Sequence, residues 1–132
     1  MEDHRSKIQT EEFVREGQEE FRTSLLDAYN YQCAISCCNV VGALDAAHIT
    51  RYLGVKSNHL QNGIILRKDI HALFDRHLIT IHPETLIVMV DESIIDSEYG
   101  KFDGDRIHPL IDSRLRPSSK ALSQNFELFQ KS

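Results

Sequence analysis
The chain has little of what would place it outside the small globular proteins. Its 132 residues contain no run of eighteen apolar residues, so no segment is long enough to cross a membrane as a helix. The opening stretch, Met1-Glu2-Asp3-His4-Arg5, is polar and acidic, whereas a secretory leader would join a basic stretch to an apolar one. The expectation is a soluble, cytoplasmic protein. Cysteine is scarce and poorly spaced for stapling a fold: Cys33, Cys37 and Cys38 crowd into six residues, an odd number that predicts free thiols in a reducing compartment. The three prolines (Pro83, Pro109 and Pro117) all fall in the C-terminal half, and no internal repeat or low-complexity tract occurs. What remains, 41% hydrophobic and 27% charged, fits one domain over residues 1–132 with a modest core and leaves too little chain for a second.

An excess of positive charge is missing too. A net charge of -5 is not that of a general nucleic-acid binder, because Lys and Arg supply most phosphate affinity. The average conceals a pattern. Residues 46–82 carry five Lys/Arg against two Asp/Glu, together with five of the seven histidines, whereas residues 83–113 carry two against eight. A locally positive, histidine-rich strip in an acidic protein is where an anionic substrate would sit.

Periodicity sketches the elements. Phe13, Val14, Phe21, Leu25, Leu26 and Tyr29 recur at helical spacing, which predicts one or two amphipathic helices from an N-cap at Thr10 to about Tyr29, broken near Gly17. Residues 43–49 and 63–67 read as strands, the second opening on the turn signal Asn62-Gly63. Asp69 can cap a following helix that puts Ile70, Leu73 and Phe74 on one face and His71 and Asp75 on another. Residues 78–82 and 86–90 predict a hairpin across Pro83-Glu84-Thr85, and residues 91–115 read as irregular. Ser118 or Ser119 caps a last helix whose Leu122, Phe126 and Phe129 form a core stripe.

Within the strand, loop, strand, helix stretch stand His48, then thirteen residues, Asn62, then eight, His71, then three, Asp75. A histidine near a strand end can take a proton from water at neutral pH. An imidazole and a carboxylate one helical turn apart can grip one divalent cation from the same side. An Asn ahead of a Gly turn can bond the backbone of the facing loop and hold the base still.

These residues resemble the HNH endonucleases, whose shared core is the ββα-metal (His-Me) finger. The resemblance is carried by Leu44-Asp45-Ala46-Ala47-His48-Ile49, by Asn62-Gly63-Ile64-Ile65-Leu66-Arg67 and by Asp69-Ile70-His71-Ala72-Leu73-Phe74-Asp75. It takes in the approach, Phe21-Arg22 to Leu25-Leu26 and Cys33-Ala34-Ile35-Ser36, and the following Leu78-Ile79-Thr80-Ile81, so that it spans roughly residues 18–90 with the core motif at about residues 33–82. It implies an α+β fold: the finger flanked by an N-terminal helix, an extra β-hairpin and a C-terminal helix. It further implies divalent-metal-dependent hydrolysis of phosphodiester bonds in DNA, in a bacterial or phage restriction or defence setting. His48 would be the general base, Asn62 would orient the catalytic loop or touch the metal, and His71 and Asp75 would be ligands of one ion, Mg or Mn, alternatively Zn or Ni.

In many members the residue before the catalytic His is an Asp or His that binds the metal, whereas here it is Ala47. Asp45, on the same strand face as Ala47, is the candidate replacement ligand. Arg51, Lys56, Arg67, Lys68 and Arg76 cluster around the motif and are expected to contact phosphate. So small a finger is expected to act as a homodimer or with a recognition partner.

Plainer readings stand beside these. Alone, His48 reads as a half-buried histidine, His71 with Asp75 as a solvated helix pair, and His59, His77 and His82 as surface residues, with His77 close enough to Asp75 to edge the site. The cysteines lack the two-residue gap and second pair of a zinc knuckle and are expected to be buried free thiols. Two alternatives to the enzyme are a catalytically idle HNH-like module that binds nucleic acid or a protein partner, and a small zinc-stabilised scaffold.

Overall fold
In the computed structural model the backbone is described for residues 4–50, 59–108 and 113–131, and the side chains within them except those of residues 4–10, 13 and 113. Helix α1 (His4–Ala28) is continuous. Thr10 therefore lies inside it instead of capping it, and Gly17 does not break it. One glycine costs a helix only about 1 kcal/mol, and the Glu, Arg and Gln residues around Gly17 are strong helix formers. Among the described side chains of α1 the buried ones are Phe21, Leu25, Leu26 and Ala28, followed by Tyr29 just past its end.

Strands β1 (Leu44–His48) and β2 (Gly63–Arg67) pair antiparallel, with Asp45 opposite Leu66 and His48 opposite Gly63. The Arg22 guanidinium fastens α1 to this pair by donating to the Leu44 carbonyl at 2.7 Å. Ile64, Ile65 and Leu66 are all fully buried. Successive strand side chains point to opposite faces, so β2 is covered on both, and α1 and α2 (Lys68–Asp75) both pack on the two strands. β2 runs directly into α2, which completes a ββα unit.

A second antiparallel pair, β3 (Ile79–Ile81) and β4 (Val88–Val90), is shorter than the predicted hairpin but keeps its pairing. Helix α3 (Ser119–Lys131) packs on β3, where the buried Thr80 hydroxyl donates to Oδ1 of the buried Asn125. Ser118 is the cap of the two candidate serines: its hydroxyl accepts from the Ala121 N–H at 3.3 Å. The buried stripe of α3 is Ala121, Leu122 and Asn125, not the expected phenylalanine stripe, since Phe126 and Phe129 are only half-buried. Residues 91–115 are partly ordered into 3-10 turns, at Glu92–Ile94, Glu98–Phe102 and Ser113–Leu115. The architecture is thus α+β, with three α-helices and two small antiparallel sheets among the described residues. Among the same residues no helix is long and apolar enough to cross a membrane.

Asp69 anchors α2 differently from the expectation. Arg67 ends β2 and itself occupies the N-cap position, so Asp69 falls in the first turn. There its carboxylate accepts from Arg67 at 2.7 and 3.0 Å, from the Ile70 N–H at 2.9 Å and from the Tyr99 hydroxyl at 2.8 Å. The Arg67 hydrogen bonds, opposed by partial desolvation and helped by Tyr99, hold the Asp69 carboxyl at about 2.

Two outcomes follow from these contacts. A Cβ on residue 63 would lie 2.6 Å from Phe21 Cζ and 2.7 Å from Leu25 Cδ2. Gly63→Ala is therefore expected to lower stability by about 1–3 kcal/mol in urea denaturation, and an unchanged midpoint would contradict this packing. The depressed Asp69 pKa contributes stability that is present above the ordinary aspartate range and is lost as pH falls from about 4 towards 2. In thermal melts across that window the acid loss should be shallower in Asp69→Asn than in wild type; parallel curves would exclude Asp69 as a source.

Candidate active site
The site is assembled around the end of β1. His48, its last residue, is half-buried, and its imidazole lies flat on the Phe21 ring, with centroids 4.5 Å apart and planes within 4°. Stacking fixes the plane in which the ring nitrogens lie. Asn62, which ends the 3-10 turn Leu60–Asn62, clamps the two residues that follow His48. Its backbone carbonyl accepts from the Ile49 N–H at 2.8 Å, and its Oδ1 accepts from the Thr50 N–H at 3.1 Å and the Thr50 hydroxyl at 2.9 Å.

His71 stands between two carboxylates. Its Nδ1 lies 2.8 Å from Asp45 Oδ2, and its Nε2 lies 3.2 Å from Asp75 Oδ2 one turn along α2. Asp45 is also bonded by the Lys68 ammonium at 2.7 Å. Partial burial by itself would raise the Asp45 pKa, but the hydrogen bonds from Lys68 and His71 outweigh it and the net shift is downward. A neutral imidazole carries one proton. If Nδ1–H donates to Asp45, Nε2 presents a lone pair to the Asp75 carboxylate, and either a second proton or a cation must stand between them.

A divalent ion fits this donor pair. Two ligands held at about 2.0–2.2 Å from one ion are themselves roughly 3 Å apart, near the spacing of His71 Nε2 and Asp75 Oδ2. Asp45 is the carboxylate that orients such a ligand histidine from its other nitrogen. Because Asp45 and Asp75 sit on opposite sides of the ring, the three side chains do not converge. Among the described residues no three His, Cys, Asp or Glu side chains do. Ala47 is buried in the core, and it is Ala46, two residues before His48, that shares its cavity.

That cavity, about 640 Å³, is lined by His48, Thr50, His71, Asp75 and His77, with Gln124, Asn125 and Leu128 of α3 completing it. The α3 residues were not expected there, whereas His77 was expected only at the edge of the site. Asn125 interrupts an apolar stripe, which is a weak sign; for His77 the only sign was its closeness to Asp75. His59 is exposed, whereas His82 is half-buried and meets Phe126 edge-on, with centroids 5.2 Å apart.

The expected phosphate contacts divide three ways. Arg67 is bound to Asp69 and Lys68 to Asp45, so both charges are met within the fold. Arg76 is exposed, just past the end of α2. Arg51 and Lys56 lie outside the described residues. All three cysteines are free, but only Cys33 is buried; its sulfur accepts from the Ser36 and Arg67 N–H groups, both at 3.3 Å. Cys38 is half-buried, and Cys37, expected inside, is exposed with its sulfur 2.7 Å from His108 Nε2.

Among protein-family models, the one described as HNH endonuclease matches residues 33–82. No curated protein and no solved structure gives a match. The matched span contains the strand pair, α2 and the four side chains His48, Asn62, His71 and Asp75, and over that span the chain is similar to the HNH endonuclease family.

Proposed function
We propose that the protein is a divalent-metal-dependent endonuclease that hydrolyses phosphodiester bonds in DNA, with His48 as general base. The observation that carries this reading is the gathering of His48, His71 and Asp75 on one cavity while Asn62 grips the backbone just beyond His48. His48 takes a proton from water, the water oxygen bonds to phosphorus, and the bond to the leaving sugar oxygen breaks. The stacked Phe21 ring and the Asn62 clamp keep the imidazole in place through this step. His71 and Asp75 would hold the ion, Mg or Mn in the first instance and Zn or Ni as alternatives, with Asp45 fixing the His71 ring. The chemistry such an ion supplies is neutralisation of charge at the scissile phosphate and stabilisation of the leaving oxygen.

The family resemblance supports a bacterial or phage restriction or defence setting in the cytoplasm, and the small size of the finger supports action as a homodimer or with a recognition partner. A second reading, a catalytically idle module that binds nucleic acid or a protein, draws on Ala47 and on the absence of a third converging ligand among the described residues.

Plasmid nicking and DNA binding by paired variants separate the two. His48→Ala is expected to lower cleavage about 10²–10⁴-fold while DNA binding persists, and full activity in that variant would sink the assignment. His71→Ala and Asp75→Ala should each weaken divalent-ion binding in calorimetry, and Asp45→Asn should do so by about 10–100-fold through the ligand histidine. Unchanged ion affinity in all three would move the metal elsewhere.

A further inference from the structure
His77 takes part in none of the steps above, yet the fold keeps it at a cost. Helix α2 ends with the His77 N–H donating to the Phe74 carbonyl at 3.1 Å and the Leu78 N–H donating to the Leu73 carbonyl at 2.9 Å. This is a Schellman ending, and its penultimate position is left-handed, with φ 62° at His77. Glycine takes that conformation without penalty and a histidine does not. Among the described residues five non-glycine residues have positive φ, namely Asn30, Tyr31, Cys37, His77 and Leu86, and of these His77 lines the cavity of His48, His71 and Asp75.

The ring also has a defined polarity. Nδ1 of His77 is buried with no hydrogen-bond partner among the described residues. A proton there would be an orphaned buried donor, which folded proteins avoid more strictly than an unfilled acceptor. A neutral ring would therefore carry its proton on Nε2, and His77 is one of the residues that line the cavity. Among the described residues Asp75 is the one carboxylate in the lining and faces His71; Thr50, Gln124 and Asn125 are neutral. A donor in a lining with one carboxylate and otherwise neutral polar groups suits an anionic oxygen from outside.

We propose that His77 is a substrate-binding residue that donates a hydrogen bond through Nε2 to a phosphate oxygen of the DNA strand lying in the cavity. This rests on the reading of the site as a nuclease centre. The test uses the full chain and a fluorescently labelled DNA duplex, with binding measured in EDTA and cleavage measured separately with Mg²⁺ or Mn²⁺. His77→Gly relieves the backbone and removes the donor: its melting temperature should rise by about 2–6 °C while duplex affinity falls about tenfold. His77→Gln, whose amide nitrogen reaches the place of Nε2, should recover most of the affinity without the gain in melting temperature. A glycine variant that binds the duplex as tightly as wild type overturns the proposal. Wild-type protein that binds DNA without cleaving it removes the hydrolase reading and leaves the proposal standing on the binding data, whereas wild-type protein that does neither removes both.

Discussion

The Phe21 ring lies flat on His48 and fills the space that only a glycine at position 63 leaves. This one contact sets how closely α1 approaches the strand pair and the plane of the candidate base. Because His48 and Gly63 are cross-strand partners, a single ring covers both. Leu25 crowds the same glycine from the next turn of α1, and the Tyr29 hydroxyl donates to its carbonyl at 3.4 Å from a buried position. The helix outside the matched span is therefore a structural support of the site.

The second constraint is electrostatic. An imidazole with a carboxylate on each nitrogen links β1 to α2, and in its neutral form it would have one proton to share between two acceptors. That imbalance is tolerable where a cation completes the arrangement, which is why the pair His71 and Asp75 reads as a metal grip and Asp45 as its support. Lys68 and Arg67 hold Asp45 and Asp69, the two carboxylates that position α2. Asp69 then ties the start of α2 to Tyr99, so the segment of 3-10 turns contributes to the aim of the site from a distance.

Much of this could be read from the residues alone, for a physical reason. The run Gly63-Ile64-Ile65-Leu66 is apolar and β-branched behind an Asn-Gly signal, and in α2 the four-residue spacing of His71 and Asp75 puts them on one face; both are local properties. The misreadings arise where local preference meets context. Gly17 looked like a break because its cost is local, while the helix formers on either side outweigh it. Phe126 and Phe129 looked like core because hydrophobicity does not reveal that β3 offers a threonine, Thr80, to pair with Asn125. The pairing of Lys68 with Asp45 was not legible because that carboxylate becomes its neighbour only in three dimensions. His77 was nearly silent, since a left-handed backbone at a histidine cannot be anticipated from composition.

The central claim is that the cavity bounded by His48, His71 and Asp75 hydrolyses phosphodiester bonds with the aid of a divalent ion. The most direct measurement is conversion of supercoiled plasmid to nicked and linear forms by wild-type protein, across a series of Mg²⁺, Mn²⁺, Zn²⁺ and Ni²⁺ concentrations with an EDTA control. The account predicts nicking that saturates with at least one of these ions and vanishes in EDTA. Plasmid left intact at every ion and concentration by folded protein, or cut equally well in EDTA, would contradict it.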